Sequence, residues 1–287
     1  MALDCTKKTS GPISNNLLKT SINILDTAIC GCINRSINCS KFPDKLKLAE
    51  ITPIPKKGES LEVGDYRPIS ILPKSKLFER VILRQLNSFF EPRFSKYLCG
   101  FRKGHSTQHA LFRLLTSWQN SLDKGEIIGT VLMDLSKAYD CLPHDLLIAK
   151  LEAYGIGFQR LCLLNDYLSD RYHRVRIGSC KSGWVKLLSG VPQGSILGPI
   201  LFNIFINDLF LFISEADLHN FADDNSPLAE NKILSVVVEI LQRNTTQTLK
   251  WFNFNSMAAN PAKFQVCLLY TSPSPRDATL SRMPSSA

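Results

Sequence analysis

The chain has 287 residues, 44% of them apolar, with 34 Lys and Arg against 25 Asp and Glu for a formal net charge of +9. That length and apolar share allow a sizeable core in one or two domains, and the basic excess suits a polyanionic partner without requiring one. Nine cysteines form no CxxC pair, and no His stands at ligand spacing beside Cys30, Cys32 and Cys39. This argues against structural zinc and for reduced, mostly buried thiols in an intracellular protein. The opening MALDCTKKTSG has no apolar stretch of a secretory signal.

In chain order, residues 12 to 45 carry apolar spacing near 3.6 and read as a helical segment ending at Phe42-Pro43. Leu46 to Pro55 reads as a strand and Lys74 to Phe90 as an amphipathic helix. Ile127 to Leu135, rich in Val, Ile and Leu, reads as a buried strand that delivers Asp134 at its end. His144 to Tyr154 and Phe158 to Leu168 are helices; His173 to Ile177 and Gly183 to Leu188 pair as strands around Gly178 to Ser182. The apolar run Ser195 to Ile213 is long enough to suggest a membrane span. Asn203 and Asn207, however, stand four apart on one helical face, where lipid would leave their amides unpaired. A buried helix with one polar edge is the reading, and no membrane contact is expected. Asn231 to Phe252 is a long helix packed on a sheet.

The acids carry the chemistry. Phe221-Ala222-Asp223-Asp224, between Leu218-His219-Asn220 and Asn225-Ser226-Pro227, reads as a hairpin with both carboxylates at the turn. Neighbouring residues of a strand point to opposite faces, but at a turn two can converge on one site. Adjacent carboxylates near an apolar core lose hydration and raise each other's pKa, so something positive belongs there. Divalent metal shared by Asp134 and the Asp223-Asp224 pair answers that need and is how a two-metal phosphoryl-transfer site is built. Taken alone, the tetrapeptide fits a solvated turn better than a metal site.

Further motifs surround these acids. Met133 to Asp140 reads MDLSKAYD, Gly190 to Pro199 reads GVPQGSILGP, residues 65 to 70 read DYRPIS, and Cys99 to Thr107 reads CGFRKGHST. In their order along the chain they resemble the reverse transcriptase of non-LTR (LINE-type) retrotransposons, over roughly residues 12 to 266. The resemblance implies an α+β fold of right-hand polymerase fingers and palm. The expected boundaries are a helical segment at 1–45, fingers at 46–107 and 143–198, and palm at 108–142 and 199–266. No thumb is expected after Val266, and the chain reads as a fragment of a longer polyprotein with thumb and endonuclease. Residues 267 to 287 resemble the conceptual translation of a transposase-type sequencing adapter and are set aside as non-native.

The resemblance also implies roles. Asp134, Asp223 and Asp224 are metal ligands, with the Leu135 carbonyl as a further one, for two Mg²⁺ ions that Mn²⁺ can replace. Tyr139 matches the aromatic floor under the incoming sugar, which excludes a 2′-hydroxyl; an ordinary core Tyr is the alternative. Gln193 matches a nucleotide-contacting Gln, while Gly190 and Gly194 are expected to let backbone approach the template-primer. Arg67 and Arg102 are candidates to hold the triphosphate through forked guanidinium contacts, and Lys263 to protonate the pyrophosphate leaving group. Asn225, where Thr is usual, and Ala258, Ala259 and Ala262 around Lys263 depart from the family pattern. The implied partners are an RNA template, a DNA primer and deoxynucleoside triphosphates, in cytoplasm and nucleus. Two rivals stay open: a catalytically silent nucleic-acid-binding fragment of a decayed element, and a group II intron-type reverse transcriptase.

Overall fold

The computed structural model describes residues 20–56, 62–72, 74–213 and 218–271. The start of the expected helical segment, before residue 20, and the tail beyond 271 lie outside the described residues. The chain divides into two compact units: one runs to Phe94 and adds Lys137–Asn207 and Asn255–Ala258, the other holds Ser95–Ser136, Asp208–Phe254 and the chain from Ala259.

In the first unit, strands β1 (Leu48–Pro55) and β2 (Tyr66–Ile71) pair antiparallel, and β1 pairs parallel with β4 (Arg171–Ile177) over Leu48 to Ile51. Short strands β5 (Cys180–Lys181) and β6 (Val185–Leu187) both pair antiparallel with β4. Prolines sit in this sheet without breaking it. Pro53 and Pro55 follow the last residue bonded to β4, and Pro68 lies on the edge strand β2, so no central ladder needs their missing N–H.

Around this sheet stand α1 (Ile22–Asn38), α2 (Ser75–Phe90), α4 (His144–Ala153), α5 (Phe158–Leu168) and α6 (Gly198–Ile206), while α3 (Thr107–Asp123) belongs to the second unit. Helix α2 buries Phe78, Ile82, Leu86 and Phe90, a stripe at four-residue spacing that faces the core. Its Glu79, fully buried, accepts from the backbone N–H of Ile196 at 2.5 Å and from the Ser75 hydroxyl at 2.8 Å, so a carboxylate serves the approach to α6. Every side chain of α6 from Ile200 to Ile206 is buried. The apolar run expected as one helix to Ile213 instead breaks after α6. Asn207 is drawn aside by bonds from its Nδ2 to the Arg93 carbonyl (3.3 Å) and the Tyr154 hydroxyl (2.9 Å). Among the described residues no helix is long and apolar enough to cross a membrane.

The second unit is built on an antiparallel sheet of order β7-β8-β3-β9: β3 (Ile127–Leu132), β7 (Leu218–Phe221), β8 (Asp224–Asn231) and β9 (Gln265–Leu269). Strand β9 pairs Cys267, Leu268 and Leu269 with β3, so regular structure continues three residues past the point where the sequence changes character. Helix α7 (Leu209–Phe212) is a single turn, and α8 (Leu234–Phe254) lies against β3 at Gly129, where a Cβ would stand 2.8 Å from Val237 Cγ1. Helix α3 is anchored by Ser117 and Ser121, whose hydroxyls donate to the Glu230 carboxylate of β8 at 3.0 and 2.6 Å.

The thiols differ from expectation. Among the described residues all cysteines are free, but only Cys99 is buried; Cys30, Cys32, Cys39 and Cys180 are exposed. The first three belong to α1 and its C-terminal cap, a helix whose one buried residue is Ser36, so their side chains have no core to enter.

Candidate active site

Asp134 is positioned by backbone on both sides. Strand β3 stops at Leu132, earlier than the expected Leu135, because the next residues pair with two different segments. Met133 exchanges both backbone bonds with Asn225 (2.8 and 3.1 Å), and Leu135, 3% exposed, bridges to Ala259. Between them the Asp134 carbonyl accepts from Asn260 N–H at 2.9 Å. Its carboxylate Oδ2 receives the Lys263 ammonium at 2.9 Å and the Asn260 amide at 3.4 Å.

The adjacent acids Asp223 and Asp224 sit on the β7–β8 turn, as expected. Phe221 and Asp224 close it, leaving Ala222 and Asp223 at its tip. Ala222 has φ +57°, a left-handed conformation that costs a residue with a Cβ about 1–2 kcal/mol. Buried amides offset that cost. Asn220 Nδ2 donates to the carbonyls of Ala222 (2.8 Å) and Asp224 (3.3 Å) and to Asn225 Oδ1 (3.1 Å), and Asn225 Nδ2 donates to the Asp223 carbonyl (3.0 Å). Asn225 is completely buried. Its departure from the usual Thr therefore supplies a working brace. Gly100 lies beneath the turn, where a Cβ would stand 2.4 Å from Ala222 N, closer than any backbone tolerates. Asn220, Asn225, Gly100 and Asn260 are the residues that motif reading did not single out for these roles.

Charge accounts for the rest of the geometry. Asp224 is exposed as a residue, yet desolvation of its carboxyl, then the charges of Asp223 and Asp134, push its pKa up against the pull of Lys263. The hydrogen bond to Asp134 is the chief cause that pushes the Lys263 ammonium up, with the charges of Asp223 and Asp224 adding to it. Among the described residues no three His, Cys, Asp or Glu side chains stand within ligating reach of one point. The donor set nevertheless fits a hard divalent cation in kind: a carboxyl, Asp224, whose pKa burial and the charges of Asp223 and Asp134 push up, and backbone carbonyls beside it.

Of the remaining candidates, Arg102 shares this unit, and its Nη1 donates to the carbonyls of Ser95 (2.8 Å) and Leu98 (2.9 Å). Arg67, Tyr139 and Gln193 belong to the first unit. Arg67 is exposed on β2, opposite Ile54 of β1. Tyr139 is half-buried and stacks on Phe202, with ring centroids 5.0 Å apart. The Gln193 carbonyl accepts from Ser70 N–H at 2.7 Å, and its amide reaches Asp140 Oδ1 at 3.4 Å. Burial pushes the Asp140 carboxyl up, with Gln193 opposing. The close approaches at Gly190 (φ +78°) and Gly194 (φ +107°) are to the chain's own backbone: a Cβ would meet Asp140 at 2.6 Å and the Ser70 carbonyl at 2.7 Å.

Comparison with known proteins bears on this geometry. The family described as reverse transcriptase (RNA-dependent DNA polymerase) matches residues 54–281, and domains of this kind work with divalent metals on a nucleic-acid template and primer. The probable RNA-directed DNA polymerase from transposon BS of Drosophila melanogaster is 33% identical over 247 residues, which cover 80% of this chain and 26% of that protein. The RNA-directed DNA polymerase from mobile element jockey of Drosophila funebris is 30% identical over 229 residues, 76% of this chain and 25% of that one. The chain thus spans about a quarter of the length of these relatives. In fold it is similar to apo telomerase from Candida tropicalis truncated from the C-terminal domain, with TM-score 0.57 at 16% identity over 80% of this chain and 52% of that one. An α+β arrangement of this type, with acids on a strand end and a hairpin turn and a family match over most of its length, means that the chain belongs to the reverse transcriptase family, as a domain of the non-LTR retrotransposon kind.

Proposed function

We propose that the chain is the polymerase part of a longer mobile-element protein: an RNA-directed DNA polymerase that adds deoxynucleotides to a primer 3′-hydroxyl on an RNA template. The observation that carries this reading is the Met133–Asn225 backbone pairing, which brings Asp134 and the Asp223–Asp224 turn onto neighbouring strands of one sheet, with Lys263 against Asp134. Asp134, Asp223, Asp224 and the Leu135 carbonyl are the proposed ligands for two Mg²⁺ ions, replaceable by Mn²⁺, which when bound supply Lewis acidity to the attacking and leaving oxygens.

The protein's own groups do the remaining work. The primer 3′-hydroxyl gives up its proton to solvent and its oxygen forms its bond to the α-phosphorus as the bond to pyrophosphate breaks, and Lys263, kept protonated by its acidic neighbours, is the proposed donor of a proton to that leaving group. Arg67 and Arg102 are proposed to hold the triphosphate, Gln193 to contact the nucleotide, and Tyr139 to exclude the 2′-hydroxyl. The proposed setting is the cytoplasm and nucleus, where template RNA and target DNA are found. Primer extension on poly(rA)/oligo(dT) with dTTP tests the reading. Incorporation that needs the RNA template and stops on chelation is expected; incorporation indifferent to template would contradict it.

A further inference from the structure

The first-unit sheet has a charged face of its own, built from other residues than the acids above. On β1, Glu50 is paired in register with Arg174 of β4, and paired residues of neighbouring strands share a face. Arg176, two residues on, and Lys181, opposite it on β5, lie on that face too. All three cations converge on the one carboxylate. Arg174 Nε reaches Glu50 Oε1 at 3.0 Å, Lys181 Nζ reaches it at 3.4 Å, and Arg176 Nε reaches Oε2 at 3.5 Å. The Glu50 side chain is only 9% exposed, whereas those of Arg174, Arg176 and Lys181 are 24%, 28% and 44% exposed. The acid lies inside and the cations outside, two charges in excess. The Arg174 guanidinium also lies 4.5 Å from the ring centroid of Trp184, an indole that is itself 43% exposed.

An exposed aromatic is costly in water, and three cations held against one acid repel one another, so the face is built to be covered by something anionic that carries flat apolar groups. A membrane supplies no flat rings, and a duplex keeps its bases stacked away from an indole. We infer that Arg174, Arg176, Lys181 and Trp184 form a binding face for single-stranded RNA, with phosphates on the cations and a base on Trp184. The choice of RNA over other polyanions rests on the polymerase reading. Glu50 has a positioning part: burial pushes its carboxyl up, but Arg174 and Lys181 bring it below the usual carboxylate value, so it stays ionised and holds the cations on one face.

The test is fluorescence anisotropy of a labelled oligo(U) 20-mer with the full chain. Trp184 and Lys181 are exposed, so variants there keep the fold, which circular dichroism verifies. Trp184→Ala is expected to weaken binding about tenfold at fixed salt and to leave the salt slope unchanged, while Trp184→Phe retains most affinity. Lys181→Gln is expected to flatten the slope of log affinity against log salt by about 0.7, one phosphate contact. Wild-type affinity and slope in both variants overturn the inference, as does competition by poly-glutamate that matches oligo(U). Primer extension by the wild-type chain reads the polymerase activity separately. Extension together with Trp184-independent RNA binding overturns this inference alone; Trp184-dependent binding without extension overturns the polymerase reading alone.

Discussion

Asn225 concentrates the chemistry of the turn in one side chain. It is fully buried, its amide holds the Asp223 carbonyl, and its oxygen receives Asn220. Asn225→Ala removes the amide donor to the Asp223 carbonyl and one of the three acceptors of the Asn220 amide, which costs about 1–3 kcal/mol. The urea midpoint should fall accordingly and extension should fall further, since Ala222 loses part of what holds it at φ +57°; an unchanged midpoint would show that the amide network carries no load. Tyr139 invites a different measurement. Its ring stacks on Phe202, so packing alone explains its position, and only substrate choice separates packing from selection. Tyr139→Ala should raise ribonucleotide incorporation relative to deoxynucleotide. Equal discrimination in an active variant would leave Tyr139 a core residue.

At the scale of elements, segment 41–47 is fastened to α5 through Asp166. Its carboxylate takes the Lys41 ammonium at 3.1 Å, the Phe42 N–H at 2.7 Å and the buried Lys47 ammonium at 3.0 Å. Burial pushes the Asp166 carboxyl up, but the bonds from Lys47, Phe42 and Lys41 outweigh it and bring the pKa below the ordinary value. A folded pKa below the unfolded one stabilises fully above the unfolded value of about 3.9, and the contribution is lost as pH falls through the depressed folded value. Thermal unfolding scanned from pH 6 to pH 2 should therefore show a steeper acid loss in wild type than in Asp166→Asn. At neutral pH that variant should be less stable by about 3 kcal/mol, because Lys47 is left buried without its main partner. Equal pH slopes would contradict the assignment.

Elements with a self-contained pattern were legible in sequence. The helix at Ser75–Phe90, the pair at His144–Ala153 and Phe158–Leu168, and the strand at Leu48–Pro55 lie where the spacing put them. Helix α3 is not among the elements expected from sequence, although Ser106 caps it by accepting from His109 N–H and Leu111, Leu114, Leu115 and Trp118 stand at helical spacing. Its anchoring to Glu230 is polar, and Leu111 and Leu115 are exposed, so its apolar stripe does not face a core. Strands β2 and β9 are short, and each owes its form to a neighbour in the sheet, which local pattern does not encode.

For the molecule as a whole, the acids were readable because charge beside apolar runs is conspicuous and because the motifs occur in family order. What supports them was not. Gly100 beneath Ala222, Asn260 against Asp134 and the Asn220–Asn225 brace are contacts between residues brought close only by sheet pairing. The same logic makes Gly100→Ala informative. The added Cβ meets backbone rather than a movable side chain, so extension should fall severalfold with the turn displaced, and activity equal to wild type would show that the turn yields freely.

Asp134 and the Asp223–Asp224 turn are the proposed reacting centre. Single-nucleotide extension by Asp223→Asn beside wild type, with matched folding and matched primer-template affinity, tests it most directly. Loss of a charged ligand from a phosphoryl-transfer centre removes several kcal/mol of transition-state stabilisation, so the rate should fall roughly a thousandfold or more while affinity holds. A rate within tenfold of wild type would contradict the account.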